Sequence, residues 1–109
     1  MNSREKFQKK IENGDFMHIN GSVLRTLNVI SNSRCRLSSL EYSFRNVDHY
    51  CFMDSIKYLD LSGYVELTDS ETGKRINFKA DYFDSIEIAL TAKGIQVLRG
   101  AFTDDCMDT

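Results

Sequence analysis

Between Asp48 and Ser62 the apolar residues Phe52, Ile56 and Leu59 recur at i, i+4 and i+7. That spacing puts them on one face of a helix. Ser55 falls at the flank of this face, and Tyr50, Asp54, Lys57 and Leu61 fall on the opposite side. Asp48 suits the N-cap, because its carboxylate accepts backbone amides at the positive end of the helix dipole. Gly63 stands where a left-handed residue would end the helix. The period then changes from helical to alternating. Val65 and Leu67 alternate with Glu66, and Ile86, Ile88 and Leu90 alternate with Glu87 and Ala89, which predicts two half-buried strands. Asp69 to Lys74 is a turn segment, and Arg75 to Lys79 alternates again. Residues 81–84 read as loop or one helical turn.

Upstream, Phe7 and Ile11 are four apart and predict a helix over 3–12. Asn13-Gly14-Asp15 is a turn signal that should break it. A second helix is expected from Asn20 or Ser22, with Val23, Leu27 and Ile30 at i, i+4 and i+7 and Leu24 widening the stripe. Ser31-Asn32-Ser33 should end it. Ser38 and Glu41 match a capping box for a short helix carrying Leu40 and Phe44. Downstream, Thr91 should cap a final helix with Ile95, Leu98 and Phe102 at i, i+3 and i+7, and Gly100 is a candidate stop. The polar tail from Asp104 is expected to fray. His18 reads as loop.

Helix, glycine stop, hairpin, then a threonine-opened helix is the order of a winged helix. Ser55-Ile-Lys-Tyr-Leu-Asp-Leu-Ser-Gly-Tyr-Val65 and Leu90-Thr-Ala-Lys-Gly-Ile-Gln-Val-Leu98 resemble winged-helix proteins of the MarR and PadR type. The resemblance covers roughly residues 20–98. It implies an α+β winged helix-turn-helix: a three-helix core with a β-hairpin wing, plus N- and C-terminal helices. The chain then reads as one domain over 1–109, with an N-terminal helix or arm at 1–14, a core at 20–98 and a frayed tail at 103–109. The short size and the ending also look like small accessory proteins of phages and other mobile elements. In the family the helix before the glycine enters the DNA major groove. By that resemblance His49, Tyr50, Met53, Asp54 and Lys57 face the groove, and the wing tip is Asp69 to Arg75.

Charge pulls against this expectation. The 109-residue chain has net charge −2, unevenly spread: residues 1–37 are net +4, 38–62 net −2 and 63–90 net −3. DNA-reading surfaces are commonly basic, since phosphate neutralisation supplies most non-specific affinity. The candidate reading helix instead offers Lys57 against Asp48, Asp54 and Asp60. The candidate DNA contacts are therefore Arg34, Arg36, His49, Tyr50, Met53, Lys57, Lys74 and Arg75. Lys74 and Arg75 fit equally a solvated hairpin tip, and Arg34 and Arg36 fit plain surface charge. Arg4, Lys6, Lys9 and Lys10 form the densest basic cluster, read either as an arm along DNA or as the polar side of a dimerisation helix. Phe7, Ile11, Ile95, Leu98 and Phe102 are the candidate homodimer contacts.

Two function classes follow. One is a DNA-binding transcriptional regulator acting as a small homodimer on double-stranded DNA. The other is a non-enzymatic protein-interaction module, in which Tyr50 and Leu61 give the exposed helix face an apolar character suited to a protein partner. No nucleophile–base set is present, so the chain does not read as an enzyme. No cofactor motif occurs. Cys35, Cys51 and Cys106 include no CxxC pair, and His49 and Cys51 point to different helix faces, which argues against metal. Three cysteines, no apolar signal core and no membrane-length apolar run predict a cytoplasmic protein with free thiols.

Overall fold

The computed structural model describes residues 3–30, 34–78 and 84–108, with backbone alone for 3–14. Among these residues lie helix α1 (Ser3–Ile30), strand β1 (Cys35–Arg36), α2 (Leu37–Tyr42), α3 (His49–Leu61), β2 (Val65–Asp69), β3 (Ile86–Leu90) and α4 (Ala92–Leu98). The class is α+β. The strands form one antiparallel sheet in the order β1-β3-β2. Val65 sits opposite Leu90 and Leu67 opposite Ile88, so the expected pairing of the two alternating segments holds. β1 adds Cys35 opposite Ile88 and Arg36 opposite Glu87. Val65, Leu67 and Ile88 thus share one face of the sheet. They pack with Phe52, Ile56 and Leu59 of α3 and Val23, Leu24 and Leu27 of α1 to make the core.

The local signals around α3 act as read. The Asp48 carboxylate accepts the Tyr50 and Cys51 amides at 2.8 and 3.4 Å. At the other end Gly63 takes φ 79°. Gly63 N–H donates to the Asp60 carbonyl and Tyr64 N–H to the Leu59 carbonyl, each at 3.0 Å. These two bonds satisfy carbonyls that the helix end leaves without partners. Thr91 caps α4, its Oγ1 accepting Gly94 N–H at 3.1 Å and donating to the Gly63 carbonyl at 2.6 Å. One threonine therefore joins the start of α4 to the end of α3.

Several expectations are corrected. α1 runs unbroken through Asn13-Gly14-Asp15, so the first two expected helices are one. An interior glycine costs only about 1 kcal/mol relative to alanine, an amount that packing of the following turns offsets. Ile19 and Asn20 lie within the helix and are buried, whereas Ile30 is exposed. The capping box at Ser38–Glu41 does not form: the N-cap is Arg36, without a side-chain cap bond. The first turn of α2 begins two residues earlier than that box would place it, with Leu37 buried. Among the described residues, 75–78 contribute a single bridge, Arg75 to Thr68, rather than a strand. On α4 the buried side chain is Val97, while Ile95 is largely exposed. The stop expected at 31–33, the loop at 81–83, Lys79, and the side chains of Arg4, Lys6, Phe7, Lys9, Lys10 and Ile11 lie outside the described residues.

The largest correction is the tail. Residues 104–108 are docked, not frayed. Met107 is buried. The Asp108 N–H donates to the Met17 carbonyl at 3.0 Å, and Arg25 Nη1 donates to the Asp108 carbonyl at 2.8 Å. Gly21 permits this approach, because a Cβ there would lie 1.9 Å from the Asp108 carbonyl oxygen. Asn20 Nδ2 donates to the Cys106 carbonyl at 2.8 Å, and Asn20 Oδ1 accepts the Ser55 hydroxyl at 2.6 Å. The Asp104 carboxylate accepts the hydroxyls of Tyr58 at 2.6 Å and Tyr64 at 2.5 Å.

These bonds set a pH dependence. Burial would raise the Asp104 pKa, but the Tyr58 and Tyr64 hydroxyls, the Cys106 amide and Lys93 together hold it below the ordinary carboxylate range. Burial, then hydrogen bonding to Asp104, pushes Tyr58 up and pushes Tyr64 up to about 12. A depressed carboxyl stabilises the fold above its unfolded pKa, about 3.9, and that contribution is lost as pH falls through the folded value. A raised phenol stabilises below its unfolded pKa, about 10, and that contribution is lost as pH rises through the folded value. Asp104→Asn is expected to cost about 1.5–3 kcal/mol near neutrality, the range for hydrogen bonds to a charged group. It should also flatten both the acid and the alkaline limbs. Thermal denaturation followed by circular dichroism from pH 3 to about 11 checks this, spanning the two unfolded pKa values. A variant that melts with the parent at pH 7 would contradict it.

Candidate contact surface on α3 and the β2–β3 loop

α3 is anchored along its buried side by Phe52, Ser55, Ile56 and Leu59. The helical repeat then leaves Tyr50, Asp54, Lys57 and Leu61 in one outward stripe. All four are exposed. Tyr50 is 77% and Leu61 76% exposed, so both ends of the stripe are apolar and open. Met53 is half-buried beside it. His49 Nδ1 lies 2.5 Å from Glu41 Oε2, which ties the first turn of α3 to α2. Phe44, in the turn between these helices, packs its ring 5.8 Å from that of Phe52.

The three aspartates that argued against nucleic acid have different fates. Asp48 is the N-cap. Asp60 accepts the Phe78 backbone amide and lies near Arg75; burial nonetheless leaves its pKa above the ordinary carboxylate value. Only Asp54 stands on the outward stripe. The charge there is one acid against one base, not three against one. Arg75 is close enough to Asp60, in the last turn of α3, for its charge to favour the carboxylate.

The β2–β3 loop is shaped by its own polar groups. Asp69 Oδ1 accepts the Glu71 and Thr72 amides at 2.8 and 3.3 Å, and Thr72 Oγ1 accepts Lys74 N–H at 3.2 Å. This is the local bonding that suits aspartate and threonine to turns. Lys74 and Arg75 are exposed. Arg34 is engaged elsewhere. Its Nη1 donates to Thr68 Oγ1 at 3.0 Å, and its Nη2 lies 3.7 Å from Glu66 Oε2. Glu66 and Thr68 alternate with Val65 and Leu67, so Arg34 covers the sheet face opposite the core. Arg36, paired with Glu87, faces the same way.

The eight candidate DNA contacts therefore divide. Tyr50, Lys57, Lys74 and Arg75 are exposed on α3 and the adjoining loop. Arg34 and Arg36 are on the outer face of the sheet. His49 pairs with Glu41, and Met53 is half-buried. Of the candidate dimer contacts, Leu98 and Phe102 pack against the chain's own core. Phe102 stacks on Tyr64 with ring centroids 6.1 Å apart. Ile95 remains 42% exposed.

Sequence reasoning missed Asn20, Tyr58, Tyr64 and Asp104. A signal existed for one of them. Ser55 lies three residues after Phe52, beside the apolar face, and a buried hydroxyl there requires a partner.

Cys35, Cys51 and Cys106 form no disulfide. Burial, then Glu87, pushes the Cys35 thiol above its usual pKa and disfavours the reactive thiolate. Among the described residues no group of three His, Cys, Asp or Glu side chains converges to hold a metal. No described helix is long and apolar enough to cross a membrane. The chain matches no protein-family model, no curated protein and no solved structure.

Asp48→Ala is expected to cost about 1 kcal/mol through loss of the cap. Chemical denaturation should show a lower midpoint with an unchanged slope. A midpoint equal to the parent's would mean that the cap does not hold the start of α3.

Proposed function

We propose that this chain is a winged-helix module that binds double-stranded DNA as a homodimer, without enzymatic activity. α3 would enter the major groove, and the β2–β3 loop would act as the wing against phosphate or the minor groove. The MarR- and PadR-type resemblance of residues 55–65 and 90–98 supports this reading. So does the element order helix, strand, helix, helix, strand, strand with sheet order β1-β3-β2. The observation that carries it is the fate of the aspartates. Asp48 and Asp60 are occupied within the fold. Lys57 thus faces a single acid on the outward stripe, with exposed Lys74 and Arg75 beyond it. The N-terminal segment, with its basic residues and with Phe7 and Ile11 at helical spacing, supplies the dimer contact in this reading. A dimer lets two weak half-site contacts combine.

The apolar ends of the stripe favour a second reading, in which Tyr50 and Leu61 anchor a protein partner. Both side chains are about three-quarters exposed, 77% and 76%, and aromatic anchors carry much of interface energy.

Mobility shift on the DNA upstream of its own coding sequence, at about 50 mM salt where phosphate contacts are strong, separates the two. Lys57→Ala should weaken binding. Replacing Lys74 and Arg75 together by alanine should lower the slope of log affinity against log salt by about two, one per lost phosphate contact. No shift from a confirmed dimer at that salt would overturn the DNA reading. Loss of a captured protein partner on Tyr50→Ala would then favour the second.

A further inference from the structure

The helices α1 and α3 do not close completely along their length. A groove of about 280 Å³ lies between them, lined by Asp15, Phe16 and Ile19 from α1 and by Cys51 and Asp54 from α3. The spacings i, i+1, i+4 and i, i+3 put these side chains on the facing sides of the two helices. Ile19, only 8% exposed, is the outer wall of the core. Phe16 sets its ring edge-on to Tyr58, with centroids 5.3 Å apart and planes at 69°. Tyr58 is in turn held by Asp104. The apolar floor is therefore preorganised by the docked tail. Asp15 and Asp54 are both exposed, and they place two carboxylates on this groove. Among its described lining residues there is no basic side chain.

An apolar floor below two like charges is matched by a ligand with an apolar body and a single positive head. We propose that the α1–α3 groove binds a small organic ammonium ion, its aryl or alkyl body on Phe16 and Ile19 and its ammonium between Asp15 and Asp54. The volume is at the small end of ligand pockets, which restricts the body to about one ring or a short chain. The apolar contact of the body and the charge pairing of the head are the two contributions to affinity. Neither contribution is large alone. Exposed ion pairs are weak, and the groove is open to solvent. Affinity on the order of 1 mM is expected for a ligand of about nine heavy atoms. Asp54 also stands on the outward stripe of α3, but the titration below contains no DNA, so its outcome does not depend on the DNA reading.

The test uses the full chain, labelled with ¹⁵N, titrated with 2-phenylethylammonium chloride at constant ionic strength and followed by amide chemical shifts. Saturable shifts are expected at residues 15–19 and 51–54. Asp15→Asn and Asp54→Asn should each weaken binding by about two- to five-fold, the range for an exposed ion pair, without unfolding the chain. The neutral isostere 2-phenylethanol should bind several-fold more weakly than the ammonium. Shifts that do not saturate, shifts confined to other surfaces, or equal titration by 2-phenylethanol would each overturn the proposal.

Discussion

The side-chain amide of Asn20 is fully buried, and a buried amide left without partners costs about 1–3 kcal/mol for each unmet group. Its carbonyl oxygen is met by Ser55 on α3, and its NH₂ by the Cys106 carbonyl in the tail. Three segments distant in sequence must therefore arrive together for one side chain to be satisfied. Asp104 adds a second junction, where one carboxylate takes hydroxyls from α3 and from the start of β2. These two junctions set how α1, α3 and the tail pack. The outward stripe of α3 has its direction because the opposite side is fixed in this way. The α1–α3 groove has its floor because Tyr58, under Phe16, is held by Asp104.

The parts of the fold legible in the sequence are those whose causes are local. Asp48, Gly63 and Thr91 act on amides and carbonyls within a few residues, and each does what its chemistry suggests. The stripe of Phe52, Ile56 and Leu59 needed only the helical repeat. The pairing of β2 with β3 followed from alternation on both sides of one connection.

The parts that were not legible depend on distant partners or on small local costs that packing outweighs. The tail is polar and lacks helical or strand spacing, yet its Cys106 carbonyl meets Asn20, 86 residues away. Gly14 looked like a break, but a single glycine penalty is small beside the burial of Ile19, Val23, Leu24 and Leu27 on the same helix. β1 is two residues long and exists because β3 offers an edge. On the candidate surface, the exposed stripe was legible and the fate of its charges was not. Asp60 reads in the sequence as a repulsive surface acid, but the fold partly buries it and gives it the Phe78 amide. Arg34 reads in the sequence as an open surface charge, but Glu66 and Thr68 hold it.

Native-state hydrogen exchange at the tail amides tests the central claim most directly, because a docked tail and a frayed one differ there by orders of magnitude. The Asp108 amide bonds the Met17 carbonyl and the Met107 amide bonds the Asp104 carbonyl. Both should exchange with protection approaching that of the α3 amides, as members of one cooperative unit. Exchange of both near the unprotected rate, with α3 still protected, would contradict the account.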